Sequence, residues 1–139
     1  MLDTIKNDFY KIAVDSHGTR ALQILLEECI KRSKVTKRTK KILEEAFEKS
    51  NKTIEMMTNV RGNHVVKQTM KLLNSAQRQK HVYAVVLKNF SYLALDRHGY
   101  QVVQECIVMA NSEQQKNFIE AVYAQLEVLI NSEFGNFIV

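Results

Sequence analysis

In the stretch DRHGYQVVQECI, residues 96–107, a glycine is followed directly by alternating pairs of polar and apolar residues. A similar segment surrounds each of the four glycines in the chain, which stand 44, 37 and 36 residues apart: Gly18, Gly62, Gly99 and Gly135. A small polar residue lies three positions before each glycine, and apolar residues lie three and four positions after it. Self-similarity at such a spacing is typical of repeat proteins, so we expect an array of similar units.

The composition favours an array made of helices. The 139 residues contain no proline and only four glycines, whereas turn-rich β architectures use both, and 45% of the residues are hydrophobic. Periodicity predicts a short helix closed by a glycine in the left-handed conformation, a second helix that starts at once, and a charged amphipathic third helix. Three such helices cannot bury their own apolar faces, so stacked units predict an all-α fold, an α-solenoid. The predicted units span residues 5–40, 50–88, 89–124 and a truncated 125–139.

Charge and cysteine usage limit the class of protein. The net charge of +5 and the pI of about 9.2 are compatible with a polyanionic partner. Cys29 and Cys106 lie in apolar helical runs, which predicts two buried, reduced thiols. The first residues lack the basic start and long apolar run of a signal peptide, and no segment is long enough to span a membrane. We therefore expect an intracellular, soluble protein.

The second helix of each unit carries the candidate binding residues. Counting from the residue after each glycine, positions three and four are apolar, whereas positions one, two and five fall on one arc of a helix and are predicted to be exposed. The residues at these positions are Thr19, Arg20 and Gln23; Asn63, His64 and Lys67; Tyr100, Gln101 and Gln104; and Asn136 and Phe137. Helix capping could explain part of position one, but a capping box would need Glu or Gln at the apolar position four. Amide groups beside planar groups instead suit the pairing edge and the flat face of an unstacked base.

The segments HGTRALQ (17–23), GNHVVKQ (62–68), DRHGYQVVQECI (96–107) and FGNF (134–137) resemble four consecutive repeats of the Pumilio (PUF) family of RNA-binding repeat proteins. The resemblance covers the whole chain and implies a right-handed superhelix of three-helix repeats that reads one RNA base per repeat. It implies that Thr19 and Gln23 contact adenine while Arg20 stacks on it. Asn63 with His64, and Asn136 with Phe137, would read uracil.

Two units depart from the family pattern. Lys67 stands where glutamine is expected, where it could contact a phosphate or weaken discrimination, and Tyr100 with Gln104 matches no common pairing. Because family proteins bind RNA antiparallel to the chain, the resemblance implies the site 5′-U-N-U-A-3′.

The leading interpretation is sequence-selective binding of single-stranded messenger RNA in the cytoplasm, which regulates its translation or stability by recruiting repressor or decay proteins. The alternatives are a nucleolar protein of the same superfamily that binds pre-ribosomal RNA, and a helical scaffold that binds proteins. Since no carboxylate pair, nucleophile constellation or metal-ligand spacing recurs, we expect no enzyme, cofactor or metal. The exposed NFIV end predicts a fragment, a truncated form, or self-association through the last unit.

Two further segments have expected roles of their own. The segment KRSKVTKRTKK (31–41) has lysine or arginine at seven of eleven positions. We expect it to form a solvated loop that leads into the third helix. The alternative is a nuclear-import signal or a patch that contacts phosphates. His81 lies on a charged third helix and is expected to be solvated.

Overall fold

The computed structural model describes residues 8–32 and 36–139, and every regular element in these ranges is a helix. This confirms the prediction of an all-α chain. The elements are α1 (Phe9–Val14), α2 (Gly18–Arg32), α3 (Lys37–Ala46), α4 (Ser50–Met57), α5 (Gly62–Leu72), α6 (Ser75–Arg78), a π-helical turn (Gln79–Tyr83), α7 (Ala84–Lys88), α8 (Phe90–Ala94), α9 (Gly99–Met109), α10 (Ser112–Ala124), α11 (Leu126–Ile130) and a final 3-10 turn (Gly135–Phe137).

The second helices of successive units lie side by side. Helix α2 packs on α5, and α5 packs on α9. The apolar positions three and four of the two inner units, Val65-Val66 and Val102-Val103, are fully buried, as the periodicity predicts. At the outer units the same positions are less enclosed, and Ala21 and Val139 are exposed. We call the opposite side, formed by positions one, two and five of α2, α5, α9 and the final 3-10 turn, the second-helix face.

The repeating glycine begins the second helix and is not left-handed in any unit, so the predicted left-handed closure is wrong. The small polar residue three positions earlier organises the turn instead. At Asp96 one carboxylate oxygen accepts the backbone N–H groups of His98 and Gly99, both at 2.8 Å. Glycine is required because the first helix passes so close. An added Cβ would lie 2.6 Å from the Leu93 carbonyl oxygen at Gly99 and 2.7 Å from a backbone oxygen at Gly62.

The third helices are capped and linked by amide side chains. Asn74 forms a capping box with Gln77, and Asn111 forms one with Gln114. The Gln114 amide also donates to the Ser75 carbonyl at 3.2 Å, which joins the third helices of neighbouring units. These bonds link the second and third units through their third helices.

Three expectations about single side chains need correction or addition. His81 is only 7% exposed and lies 3.9 Å from the Glu44 carboxylate, because the π-helical turn packs against α3, so its predicted solvation is wrong. Cys106 is buried as predicted, whereas Cys29 is only half-buried.

Within the described ranges, no helix is long and apolar enough to cross a membrane, and no group of three His, Cys, Asp or Glu residues could hold a metal ion.

The basic segment 31–41 is only partly a loop. Its residues 33–35 lie outside the described ranges, while Lys31 and Arg32 end α2 and residues 37–41 form the first turn of α3. Most of its described basic side chains are exposed.

Candidate nucleic-acid interface

The first unit presents a hydrogen-bonded pair on one turn of α2. The Gln23 side-chain amide donates to the Thr19 hydroxyl oxygen at 3.1 Å. The Thr19 hydroxyl can still donate its own proton, and the Gln23 carbonyl oxygen can still accept one. The Thr19 hydroxyl donor thus lies beside the Gln23 acceptor oxygen, the pattern that the pairing edge of adenine complements. Arg20, the predicted stacking residue, is exposed next to them.

Position one is more enclosed than the sequence predicted. Thr19 is 7% exposed and Asn63 is 1% exposed, so the prediction of exposure is wrong for both. The cause at Asn63 is local, since its amide nitrogen donates to the carbonyls of Asn59 at 2.8 Å and Val60 at 3.1 Å. These bonds tie the start of α5 to the preceding turn and leave the Asn63 side-chain oxygen buried without a partner.

The same tie recurs at Asn136, which is exposed. Its amide nitrogen donates to the carbonyls of Ser132 at 2.7 Å and Glu133 at 2.8 Å. The donors of both position-one asparagines therefore serve the fold. The side-chain oxygen of the exposed Asn136 is left to accept a hydrogen bond from a base, whereas that of Asn63 is buried.

In the second unit, the two remaining candidate residues, His64 and Lys67, lie close enough to each other for Lys67 to affect the charge of His64. His64 is exposed, and partial burial followed by repulsion from Lys67 and His98 lowers its pKa. Burial also lowers the pKa of Lys67, against the opposing effect of the Glu105 carboxylate. An anion at this point would offset the cost of holding a half-buried ammonium group charged.

Lys67 is bonded to the next unit. Its Nζ donates to the Gln101 side-chain oxygen at 3.1 Å, so position five of the second unit is tied to position two of the third. This contact was not predicted from sequence, because the pattern gave each unit its own set of three residues.

The third unit is built around an aromatic stack. The Tyr100 ring stacks on Phe134 at a centroid distance of 5.6 Å and an interplanar angle of 16°, and on Phe137 at 5.5 Å and 28°. The Gln104 amide donates to the Phe137 carbonyl at 2.7 Å. Sequence reasoning missed Phe134, although a signal was present: the residues directly before the glycines, namely His17, Arg61, His98 and Phe134, all carry a planar group.

A cleft of about 590 Å³ opens on the second-helix face between the third and fourth units. Its walls include five of the predicted binding residues, Lys67, Tyr100, Gln101, Gln104 and Phe137, together with Glu105. The structure thus brings these five candidates together, while Asn63, His64 and Asn136 do not line the cleft and the Thr19–Gln23 pair lies on α2. The RNA contacts of all these residues stay predictions.

Comparisons with known proteins agree with this arrangement. A family model described as "Pumilio-family RNA binding repeat" matches residues 8–31, 52–83 and 89–122. The chain is 29% identical over 128 residues to Pumilio homolog 12 of Arabidopsis thaliana, which covers 92% of this chain and 20% of the relative. It is 22% identical over 140 residues to suppressor protein MPT5 of Saccharomyces cerevisiae, which covers 100% of this chain and 16% of the relative.

Solved structures of this class superpose on nearly the whole chain. The Puf4 RNA binding domain bound to an HO endonuclease RNA 3′ UTR recognition sequence matches with a TM-score of 0.84 and 25% identity, over 99% of this chain and 40% of that one. The RNA-binding domain of yeast Puf5p bound to SMX2 RNA matches with a TM-score of 0.83 and 19% identity, over 99% and 38%, which supports the fold. The chain spans about a fifth of the length of the curated relatives it matches. With its repeats, their glycine register and the family match over most of its length, the chain belongs to the Pumilio family of RNA-binding repeat proteins.

Proposed function

We propose that this chain binds single-stranded RNA sequence-selectively through its second-helix face. The observation that carries the proposal is the Thr19–Gln23 pair, bonded at 3.1 Å, with exposed Arg20 beside it. A pre-formed pair needs little reorganisation to meet a base edge, and a guanidinium plane can stack on the base. The solved neighbour at 25% identity is bound to a 3′ UTR recognition sequence, which supports RNA as the ligand class.

The proposed site is 5′-U-N-U-A-3′, with its adenine at the first unit. The net charge of +5 favours association with a polyanion. In the cell, the whole protein would act in the cytoplasm on messenger RNA and control its translation or stability. Recruitment of repressor or decay proteins, and self-association through the last unit, stay predictions.

Fluorescence anisotropy with short labelled oligonucleotides tests the proposal. We expect a ten-nucleotide RNA containing UAUA to bind more tightly at moderate salt than DNA of the same sequence. Replacing the final adenine should weaken binding about 5- to 100-fold, the range expected for one base-edge contact. Equal binding of RNA and DNA, or no binding of either, would contradict the proposal.

The variant Gln23→Ala tests the residue assignment separately. It should remove the preference for adenine at the last position while leaving binding of the rest of the RNA in place. Gln125→Ala is the matched control, because Gln125 lies beside Leu87 and Ala121, away from the second-helix face. If Gln23→Ala keeps the adenine preference, Gln23 does not read that base.

A further inference from the structure

In the third unit, three groups expected to contact a base already make contacts within the protein. Gln104 donates its amide to the Phe137 carbonyl at 2.7 Å, and the Gln101 side-chain oxygen accepts from Lys67 at 3.1 Å. At position one, Tyr100 is held by two stacked aromatic contacts. In the first unit, by contrast, the two reading groups are bonded to each other and a base can meet both.

Reading a base edge at this unit would need the stack to open. Moving Tyr100 to a base edge would break its contacts with Phe134 and Phe137, and using the bonded Gln104 N–H would break its hydrogen bond to a backbone oxygen. Breaking both contacts would weaken binding, unless the contacts with that one base made up for the lost free energy. A ligand that leaves these contacts in place avoids that cost.

The cleft beside the stack suits such a ligand. Phe137 is 58% exposed although one face of its ring lies against Tyr100, so aromatic surface remains open to a base. Stacking on an aromatic ring tolerates any base, because every base has a flat π-face.

Lys67, on the wall of the same cleft, supplies the charge. Its ammonium group has three donors, of which the bond to Gln101 uses one. Burial lowers the pKa of Lys67 and the Glu105 carboxylate only opposes that shift, so a phosphate beside Lys67 would help to keep its ammonium group charged. A phosphate that approaches the cleft therefore finds a cation with donors to spare.

We propose that the third repeat holds its nucleotide without selecting the base: the base stacks on the exposed surface of Phe137, and the Lys67 ammonium contacts the adjoining phosphate. This inference rests on the proposed RNA-binding function. The second nucleotide of U-N-U-A would be held by stacking on Phe137 and by the charge of Lys67, whatever its base. Tyr100 would support the Phe137 ring.

Four RNAs that differ only at this nucleotide test the inference with the unmodified protein. Their dissociation constants, measured by anisotropy, should agree within about twofold, whereas replacing the adenine opposite the first unit should weaken binding at least fivefold. A preference of more than fivefold at the second nucleotide, with the adenine preference intact, overturns this inference alone. Absence of binding to every RNA overturns the proposed function and this inference with it.

Three variants separate stacking from base reading. Phe137→Ala should weaken binding of all four RNAs by the same factor, about 5- to 100-fold, whereas Phe137→Tyr keeps the ring and should lose much less affinity; Gln125→Ala, away from the cleft, is the unchanged control. Tyr100→Phe keeps the stack and removes the hydroxyl, so the ratios among the four affinities should be the same as in the unmodified protein. Circular dichroism confirms that each variant is folded. Unchanged binding by Phe137→Ala, or a change in base preference with Tyr100→Phe, overturns the inference.

Discussion

Replacing Gly99 by alanine is expected to destabilise the fold by forcing two helices apart. The added Cβ would lie 2.6 Å from the Leu93 carbonyl oxygen and 3.2 Å from both the Leu93 Cα and the Asp96 Cβ. Two of these three atoms belong to the backbone of the preceding helix and its turn, so no side-chain rotation can relieve the contact. Helix α9 or α8 must move by several tenths of an ångström.

The magnitude follows from two opposing effects. Overpacking by a methyl group in a close-packed site costs about 1–3 kcal/mol, and the alanine gains about 0.5–1 kcal/mol over glycine within a helix. Because the obstacle is backbone, we expect the upper part of the first range and a net loss of about 1–2 kcal/mol. For a chain of this size that loss lowers Tm by about 3–8 °C.

Gly18→Ala is the matched control. Its Cβ would meet the Ile12 Cγ2 and carbonyl oxygen at 3.2 Å and the Asp15 Cβ at 3.4 Å, so only small shifts are needed. The two effects nearly cancel there, and we expect a change within about 0.5 kcal/mol in either direction.

Urea denaturation followed by circular dichroism at 222 nm measures both variants. The reasoning requires a lower midpoint for Gly99→Ala than for the unmodified chain, at an unchanged slope with denaturant. A Gly99→Ala variant as stable as the unmodified chain, or a larger loss at Gly18→Ala, would show that close helix approach does not explain the glycine register.

Three further predictions concern a cap, a cation and the thiols. Asp96→Ala removes the acceptor for two backbone N–H groups and should cost about 1 kcal/mol in urea denaturation; Asp96→Asn keeps an acceptor and should cost much less, so equal losses would argue against capping. Lys67→Met should reduce the slope of log affinity against log salt by about 0.7 if Lys67 contacts one phosphate of a single strand, and an unchanged slope would exclude that contact. Cys29 is half-buried, while burial raises the pKa of the fully buried Cys106 thiol; a thiol reagent followed by mass spectrometry should therefore label Cys29 first, and early labelling of Cys106 would contradict its burial.

The architecture could be predicted because its causes are local. An apolar pair follows each glycine at a fixed distance, which predicts the residues that face inward. Val65-Val66 and Val102-Val103 are buried as this pattern predicts. The predicted left-handed conformation of the glycine is wrong, since the sequence does not show how closely the first helix of a unit passes the glycine that starts the second. That distance depends on packing and becomes visible only when a Cβ is placed at Gly62 or Gly99.

The candidate site was less predictable because its contacts cross between units. Periodicity locates Lys67 and Gln101 on the same face but does not give the rise from one unit to the next, which brings their side chains to 3.1 Å. The burial of Asn63 depends likewise on carbonyl groups exposed by the preceding turn. The stack of Tyr100 on Phe134 depends on the residue before Gly135 also reaching this face, which the periodicity of the second helices does not show.

Contacts between units also bear on how a base preference is assigned. The Lys67–Gln101 bond joins residues 34 positions apart and the Gln104–Phe137 bond joins residues 33 apart, so each couples one unit to the next. The Thr19–Gln23 bond, by contrast, lies within a single helical turn. Substitutions in coupled groups are not additive, whereas distant and independent ones are. The preference of the first unit should therefore depend less on its neighbour, although Glu27 on α2 also accepts a hydrogen bond from Gln68 on α5 at 3.1 Å. A change at Lys67 or Gln104 should alter the neighbouring unit as well, so their base preferences must be measured in the intact array.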